Sequence, residues 1–154
     1  MLSLDETDHR LLALLQQDSG RTLAEFGELV SLSPSAVQRR IDRYRRAGLI
    51  DREIAVLDPG KVDALIAVCL VSFAKESKAL HAAFRRKLLA APEVQQLYSV
   101  SGDTDYVVVL ASTGMAHHRE AAERLFTDAP NIQRYSTMFV LDPVRASLSL
   151  PTER

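Results

Sequence analysis

Between Pro34 and Arg52 the sequence carries six arginines, at positions 39, 40, 43, 45, 46 and 52, against two aspartates, at 42 and 51. A guanidinium keeps its charge at any physiological pH and presents a planar fork of donors that matches phosphate oxygens and the major-groove edge of guanine. The 154-residue chain has a formal net charge of −1, so it is no polycation, and this local cationic excess is what points to nucleic acid. The surrounding residues read as a helix that would position the arginines. Ser33 suits the N-cap, Pro34 the first helical position and Gly48 the positive φ that ends a helix. Val37, Ile41 and Tyr44 follow i, i+4, i+7 and make one buried stripe. Ser35, Gln38, Arg39, Arg43 and Arg46 then point largely outward, as in a helix that reads a major groove. The alternative is a solvated face with incidental arginines. By position, Ser35, Gln38 and Arg39 are assigned to base edges, and Ser33, Arg40 and Arg43, with Arg21 as a further candidate, to phosphates.

A second constellation is Gly102-Asp103-Thr104-Asp105. A glycine turn exposes N–H groups that suit a carboxylate, and either aspartate could balance an ammonium, so the turn has the chemistry to bind a free amino acid. It is equally an ordinary hairpin, with Gly102 supplying positive φ and Asp103 bonding its own backbone. An enzyme reading is weak, because no histidine, nucleophile or phosphate loop stands near these aspartates in sequence. His117-His118 with Glu120 and Glu123 lacks an H-x-x-x-H spacing, and adjacent helical histidines point about 100° apart, so a solvated helix face is preferred and neither metal nor cofactor is expected. Cys69 is the one cysteine and reads as a small core residue, with no intrachain disulfide possible. With 47% hydrophobic residues, no signal pattern and no apolar run of about 20 residues, the chain reads as a soluble cytoplasmic protein with no membrane partner.

The elements fall into two halves. Asp5 caps a helix carrying Leu11, Leu12, Leu14 and Leu15. Thr22 and Glu25 have capping-box spacing and open a short helix with Leu23, Phe26, Leu29 and Val30. A brief turn at Ser31-Leu32 leads into the arginine helix. Three helices with a tight turn between the second and third make a helix-turn-helix domain over residues 1–50, although Ser31 stands where glycine is usual because the backbone there tends to be left-handed. Residues 51–60 read as a linker strand ending in the turn Asp58-Pro59-Gly60. From 61 to 154 the pattern changes: strands over 64–74, 94–100, 106–111 and 132–141, helices over 77–90 and 115–127. In the strand at 94–100, Val94, Gln96, Tyr98 and Val100 share a face. The order is β-α-β-β-α-β, a ferredoxin-like arrangement, so the fold class is α+β. With both helices on one face of such a sheet, the other face must be covered, which points to a dimer.

Three stretches resemble the Lrp/AsnC (feast/famine) family of transcription regulators: LDETDHRLLALLQQDSGR, LSPSAVQRRIDRYRRAGLI and the turn VSGDTDYVV, with FVLDPVRASLSLP at the tail. The resemblance covers essentially the whole chain. It implies a homodimer that assembles further, often into an octamer as a tetramer of dimers. The N-terminal helix-turn-helix would bind double-stranded promoter or operator DNA, its paired reading helices about 34 Å apart or a multiple of that. The ferredoxin-like domain, called RAM in that family, would bind an amino-acid effector between subunits. Carried onto this sequence, the effector residues are Gly102, Asp103, Thr104, Asp105 and Tyr106, with Met115, Thr137, Met138 and Phe139. Met115, Met138 and Phe139 weakly suggest an apolar or aromatic ligand. The expected function is a sequence-specific regulator that senses a small effector and is not an enzyme. The rival is an amino-acid-binding oligomeric module with little sequence-specific DNA binding.

Overall fold

A computed structural model describes residues 2–75 and 77–152. The chain forms two compact units. One runs to Ala55 and takes in the tail from Arg145 onward; the other spans Val56–Val144.

The first unit holds α1 (Glu6–Gln17), α2 (Leu23–Val30) and α3 (Pro34–Arg46). Capping boxes open α1 and α2: Asp5 with Asp8, and Thr22 with Glu25. Each box satisfies two backbone donors that a helix start leaves unpaired. Ser33 Oγ accepts from the Ala36 N–H at 3.3 Å, and Pro34 begins α3 as its residue type requires. The turn between α2 and α3 is left-handed at Ser31, with φ 56° and ψ 45°. It is closed by the Leu32 N–H donating to the Gly27 carbonyl at 2.9 Å. Gly27 is needed for that approach, since a Cβ there would lie 2.5 Å from the Leu32 oxygen. Leu11, Leu12, Phe26, Val30, Val37, Ile41 and Tyr44 form the core.

One expectation is corrected here. Residues 51–57 form no strand, because a strand needs ladder partners and these residues have none among the described residues; a 3₁₀ turn follows at Pro59–Lys61. The tail bonds to α1 of the first unit. The Gln16 amide donates to the Leu150 carbonyl at 3.1 Å and accepts the Leu150 N–H at 2.7 Å, so one side chain substitutes for a strand neighbour. Thr152 Oγ1 also donates to the His9 carbonyl at 3.2 Å.

The second unit contains β1 (Leu65–Phe73), α4 (Lys78–Leu89), β2 (Val94–Ser99), β3 (Tyr106–Ser112), α5 (Met115–Ala122) and β4 (Ile132–Phe139); a π-helical turn, Glu123–Thr127, extends α5. The sheet is antiparallel with order β2-β3-β1-β4, the ferredoxin-like topology. Alternate residues of β1 and β3 (Cys69, Val71, Tyr106, Val108, Leu110) pack with Phe84 and Leu88 of α4 and with Ala122, Leu125 and Phe126. The intervening residues Val68, Leu70, Val107 and Val109 occupy the opposite face and are only half-buried. A register shift between Val94 and Gln96 changes one expectation: Val94 turns to the core face beside Leu97, whereas Gln96 and Tyr98 stay on the open face. No helix among the described residues is long and apolar enough to cross a membrane.

The turn makes two opposite predictions. Ser31→Gly removes the left-handed penalty of a Cβ and should stabilise the first unit by about 0.5–1 kcal/mol. Gly27→Ala should destabilise it by about 1–3 kcal/mol through the clash with Leu32. Urea midpoints with unchanged m-values would confirm both; a lower midpoint for Ser31→Gly would contradict the first.

Candidate functional site

The arginine helix is organised by a residue outside it. Asp8 lies on the apolar stripe of α1 with Leu11 and Leu12 and is 1% exposed. Its carboxylate accepts from the Tyr44 hydroxyl at 2.5 Å, Arg43 Nη2 at 2.6 Å, Arg40 Nη1 and the Asp5 N–H at 3.0 Å. Arg40 also reaches Asp5 at 2.9 Å. Burial opposes the charge on Asp8, yet the Tyr44 hydroxyl, the Asp5 N–H and the two guanidiniums together hold its carboxyl well below the usual carboxylate range. Burial, then the bond to Asp8, pushes the Tyr44 hydroxyl up.

This network sorts the sequence candidates. Arg40 pairs with Asp5 and Asp8, so its charge is matched within the domain. Arg43 is anchored to Asp8 but remains 40% exposed. Arg39 is exposed and has no ion pair or hydrogen bond among the described residues. Arg46 bonds the Asp42 carbonyl, at 3.2 Å, and no other group among the described residues. Arg39, Arg40, Arg43 and Arg46 line one shallow depression. Ser33 and Ser35 join through their hydroxyls at 3.1 Å at the helix start. Gln38 donates along the helix to Asp42 at 2.8 Å. Arg21 pairs loosely with Asp18 at 3.6 Å, beside the start of α2. Asp8 was missed by the sequence reading. An acid at i relative to Leu11, Leu12 and Leu15 is the feature that could have found it.

In the second unit the turn before β3 separates its two aspartates. Asp105 is engaged by the backbone of β1: its Oδ2 accepts the Phe73 N–H at 2.6 Å, and its own N–H donates to the Val71 carbonyl at 2.9 Å. Asp103 leaves its carboxylate exposed, and only its carbonyl is held, by Ser72 Oγ at 2.9 Å. Gly102 has φ 115°, open to glycine alone. Tyr106 is buried, its hydroxyl 2.8 Å from His81 Nδ1.

The other expected effector residues lie elsewhere. Tyr106 pairs with Val71 at one end of the sheet and Ser112 with Leu65 at the other, which at the rise of a strand is about 20 Å. Met115, exposed, opens α5 beyond the far end, where Phe139 pairs with Ala67. Thr137 faces the core with Cys69, their Oγ1 and Sγ 3.5 Å apart, whereas Met138 points to the open face. One copy therefore does not bring the nine residues together.

A second buried acid, Glu93, accepts from Arg124 at 2.7 Å and contacts His117 at 3.2 Å. The solvated face expected for His117 and His118 is corrected at His118, which is buried and packs edge-on against Phe139 at 4.9 Å because it shares the inner stripe of α5 with Ala121 and Ala122.

Two family profiles match the chain. Residues 4–45 match the AsnC-type helix-turn-helix domain, and residues 66–150 match the Lrp/AsnC ligand binding domain. The chain belongs to the Lrp/AsnC family. Among its Lrp/AsnC relatives, the HTH-type transcriptional regulator y4tD of Sinorhizobium fredii is 30% identical over 99% of this chain and 90% of its own length. The DNA-binding transcriptional activator DecR of Escherichia coli K12 is 29% identical over 97% of this chain and 99% of its own. A Neisseria meningitidis transcriptional regulator solved as its L-methionine complex superposes with a TM-score of 0.89 at 30% identity, covering 97% of each chain. This Lrp/AsnC chain is accordingly a transcriptional regulator that joins a helix-turn-helix DNA-binding domain to a ligand-binding domain.

The Asp8 network has a pH signature. A carboxylate held below its unfolded value stabilises fully above about pH 4 and loses that contribution as pH falls towards its folded value. Asp8→Asn should cost the first unit about 2–3 kcal/mol at pH 7, below the figure for a wholly buried pair because Arg43 is partly exposed. Melting of the two proteins should converge as pH drops below about 4. A constant gap across that range would mean that the packing of Asp8, not its charge, matters.

Proposed function

We propose that the regulator reads its operator through the start of α3, with Arg39 on a base edge and Ser35 and Gln38 beside it. Ser33, Arg43 and Arg21 contact phosphate, and Arg40 serves to position α3. The observation that carries this reading is the exposed, unpaired Arg39 on a helix whose neighbouring arginines are pinned by Asp8. An arginine with no internal carboxylate keeps its full charge and its donors for DNA.

The effector is a small amino acid. Its ammonium meets Asp103, and its carboxylate meets N–H groups of the glycine turn. Asp103 is preferred over Asp105 because the latter carboxylate is already bonded to Phe73. Met115 and Phe139 lie towards the other end of the sheet from that turn, and Thr137 faces the core, which supports a site completed by a second copy. The half-buried aliphatic face of the sheet supports a homodimer, with further assembly of dimers towards an octamer. The ligand biases that assembly by its differential affinity for the two arrangements, and through it the spacing of the reading helices. DNA as target puts the protein in the compartment that holds the DNA.

The test is binding to DNA upstream of its own gene, with each amino acid in turn and at two salt concentrations. Specific, salt-sensitive binding altered by one amino acid is expected; an effector that binds and changes neither DNA affinity nor assembly would refute the coupling. Arg39→Ala should cost about 1–3 kcal/mol on the cognate site and less on random DNA. Equal losses would make Arg39 a phosphate contact. Asp103→Ala should preserve DNA binding without effector and blunt the response to it, whereas an unchanged response would return Asp103 to a plain hairpin role.

A further inference from the structure

The ligand-binding domain has a cationic surface of its own. Helix α4 carries Lys78, Arg85, Arg86 and Lys87, with no carboxylate from Lys78 to Leu89. Lys78, Arg85 and Arg86 are exposed, and none of the four forms an ion pair among the described residues. Elsewhere Arg21, Arg45, Arg52 and Arg124 each sit on a carboxylate. Phe84 and Leu88 direct the inner face of α4 into the core. Lys78 and Arg85, seven residues apart, fall on one outward line and stand about 10 Å apart along the axis, with Arg86 on the adjoining line. Ala79, Ala82 and Ala83 between them leave the cations clear of neighbouring side chains.

Lys87 lies beside a mainly apolar cavity with Leu80, Ala83 and Phe84, whereas Lys78, Arg85 and Arg86 stand on the exposed side of the helix. What such a row suits is an extended polyanion. Duplex DNA carries one charge per about 1.7 Å of axis and needs no particular register. A polyanion is already the partner of this protein. We propose that α4 is a second, sequence-independent DNA surface, which grips phosphates of a duplex held by the helix-turn-helix of the same or another copy. This rests on the DNA-binding reading above and extends it to the ligand-binding domain.

The experiment compares the full-length protein with R85A/R86A and R85K/R86K on two duplexes, one just covering the operator and one several helical turns longer, across a salt series. On the longer duplex R85A/R86A should bind several-fold more weakly at low salt. Its slope of log K against log salt should fall by about 0.9 for each phosphate no longer neutralised, about two in all. R85K/R86K should keep the wild-type slope, and preference for the operator over random sequence should be the same in all three. An unchanged slope for R85A/R86A on the longer duplex overturns the proposal while leaving the α3 reading intact. So does an altered oligomeric state of R85A/R86A by sedimentation, which would make α4 a subunit interface. Absence of DNA binding by the wild-type protein would overturn both readings together.

Discussion

Asp8 is a carboxylate almost wholly removed from water, and every side-chain donor that α3 supplies to it comes from Arg40, Arg43 or Tyr44. A buried charge is tolerable only when its lone pairs are matched, so the need to satisfy Asp8 becomes a constraint on where α3 lies against α1. The same constraint divides the arginines. Positions 40 and 43 are engaged by the interior, and position 39, about 100° round the helix from 40, is left to face outward. The cationic excess visible in the sequence is thus smaller on the surface than a count suggests, and it is concentrated on fewer groups.

The second unit uses carboxylates in the same way. Glu93 joins the start of β2 to Arg124 and His117, and burial of its carboxyl is outweighed by its own backbone N–H, Arg124 and His117, which keep it ionised. Asp105 ties the turn before β3 to the end of β1. These anchors leave Asp103 as the acid of that turn still open to a ligand. The sheet then sets the scale of the site. Its strands carry the turn to one end and the α5 start to the other, so a ligand the size of an amino acid cannot touch both within a single copy. Completion of the site by a second copy belongs to the proposal above, and the half-buried aliphatic face of the sheet is what supports it.

The elements were legible where they are locally encoded. The caps at Asp5, Thr22 and Ser33, the apolar stripe Val37, Ile41, Tyr44 and the β-α-β-β-α-β order all appear as read, because each depends on residues a turn or a strand apart. The left-handed Ser31 was legible too, from its place in the turn. The linker at 51–57 was not, since weak alternation promises a strand only if an edge is available. The contact between Leu150 and Gln16 was not, because the two are 134 residues apart. Val94 was misplaced because one bulge reverses the alternation that the pattern assumes.

For the site, residue types and spacing were enough to nominate α3 and the Gly102–Asp105 turn, since a helix face and a glycine turn are properties of a few consecutive residues. Which arginine is free, which aspartate is engaged and which candidates stand together could not be read there. Those outcomes depend on long-range pairing: Asp8 with Arg40 and Arg43, Asp105 with Phe73, and the seven-residue ladder between β1 and β3. Local backbone preference determined the elements; the tertiary structure decided the availability of their charges, because a charge is free or engaged according to what folding brings within hydrogen-bond reach.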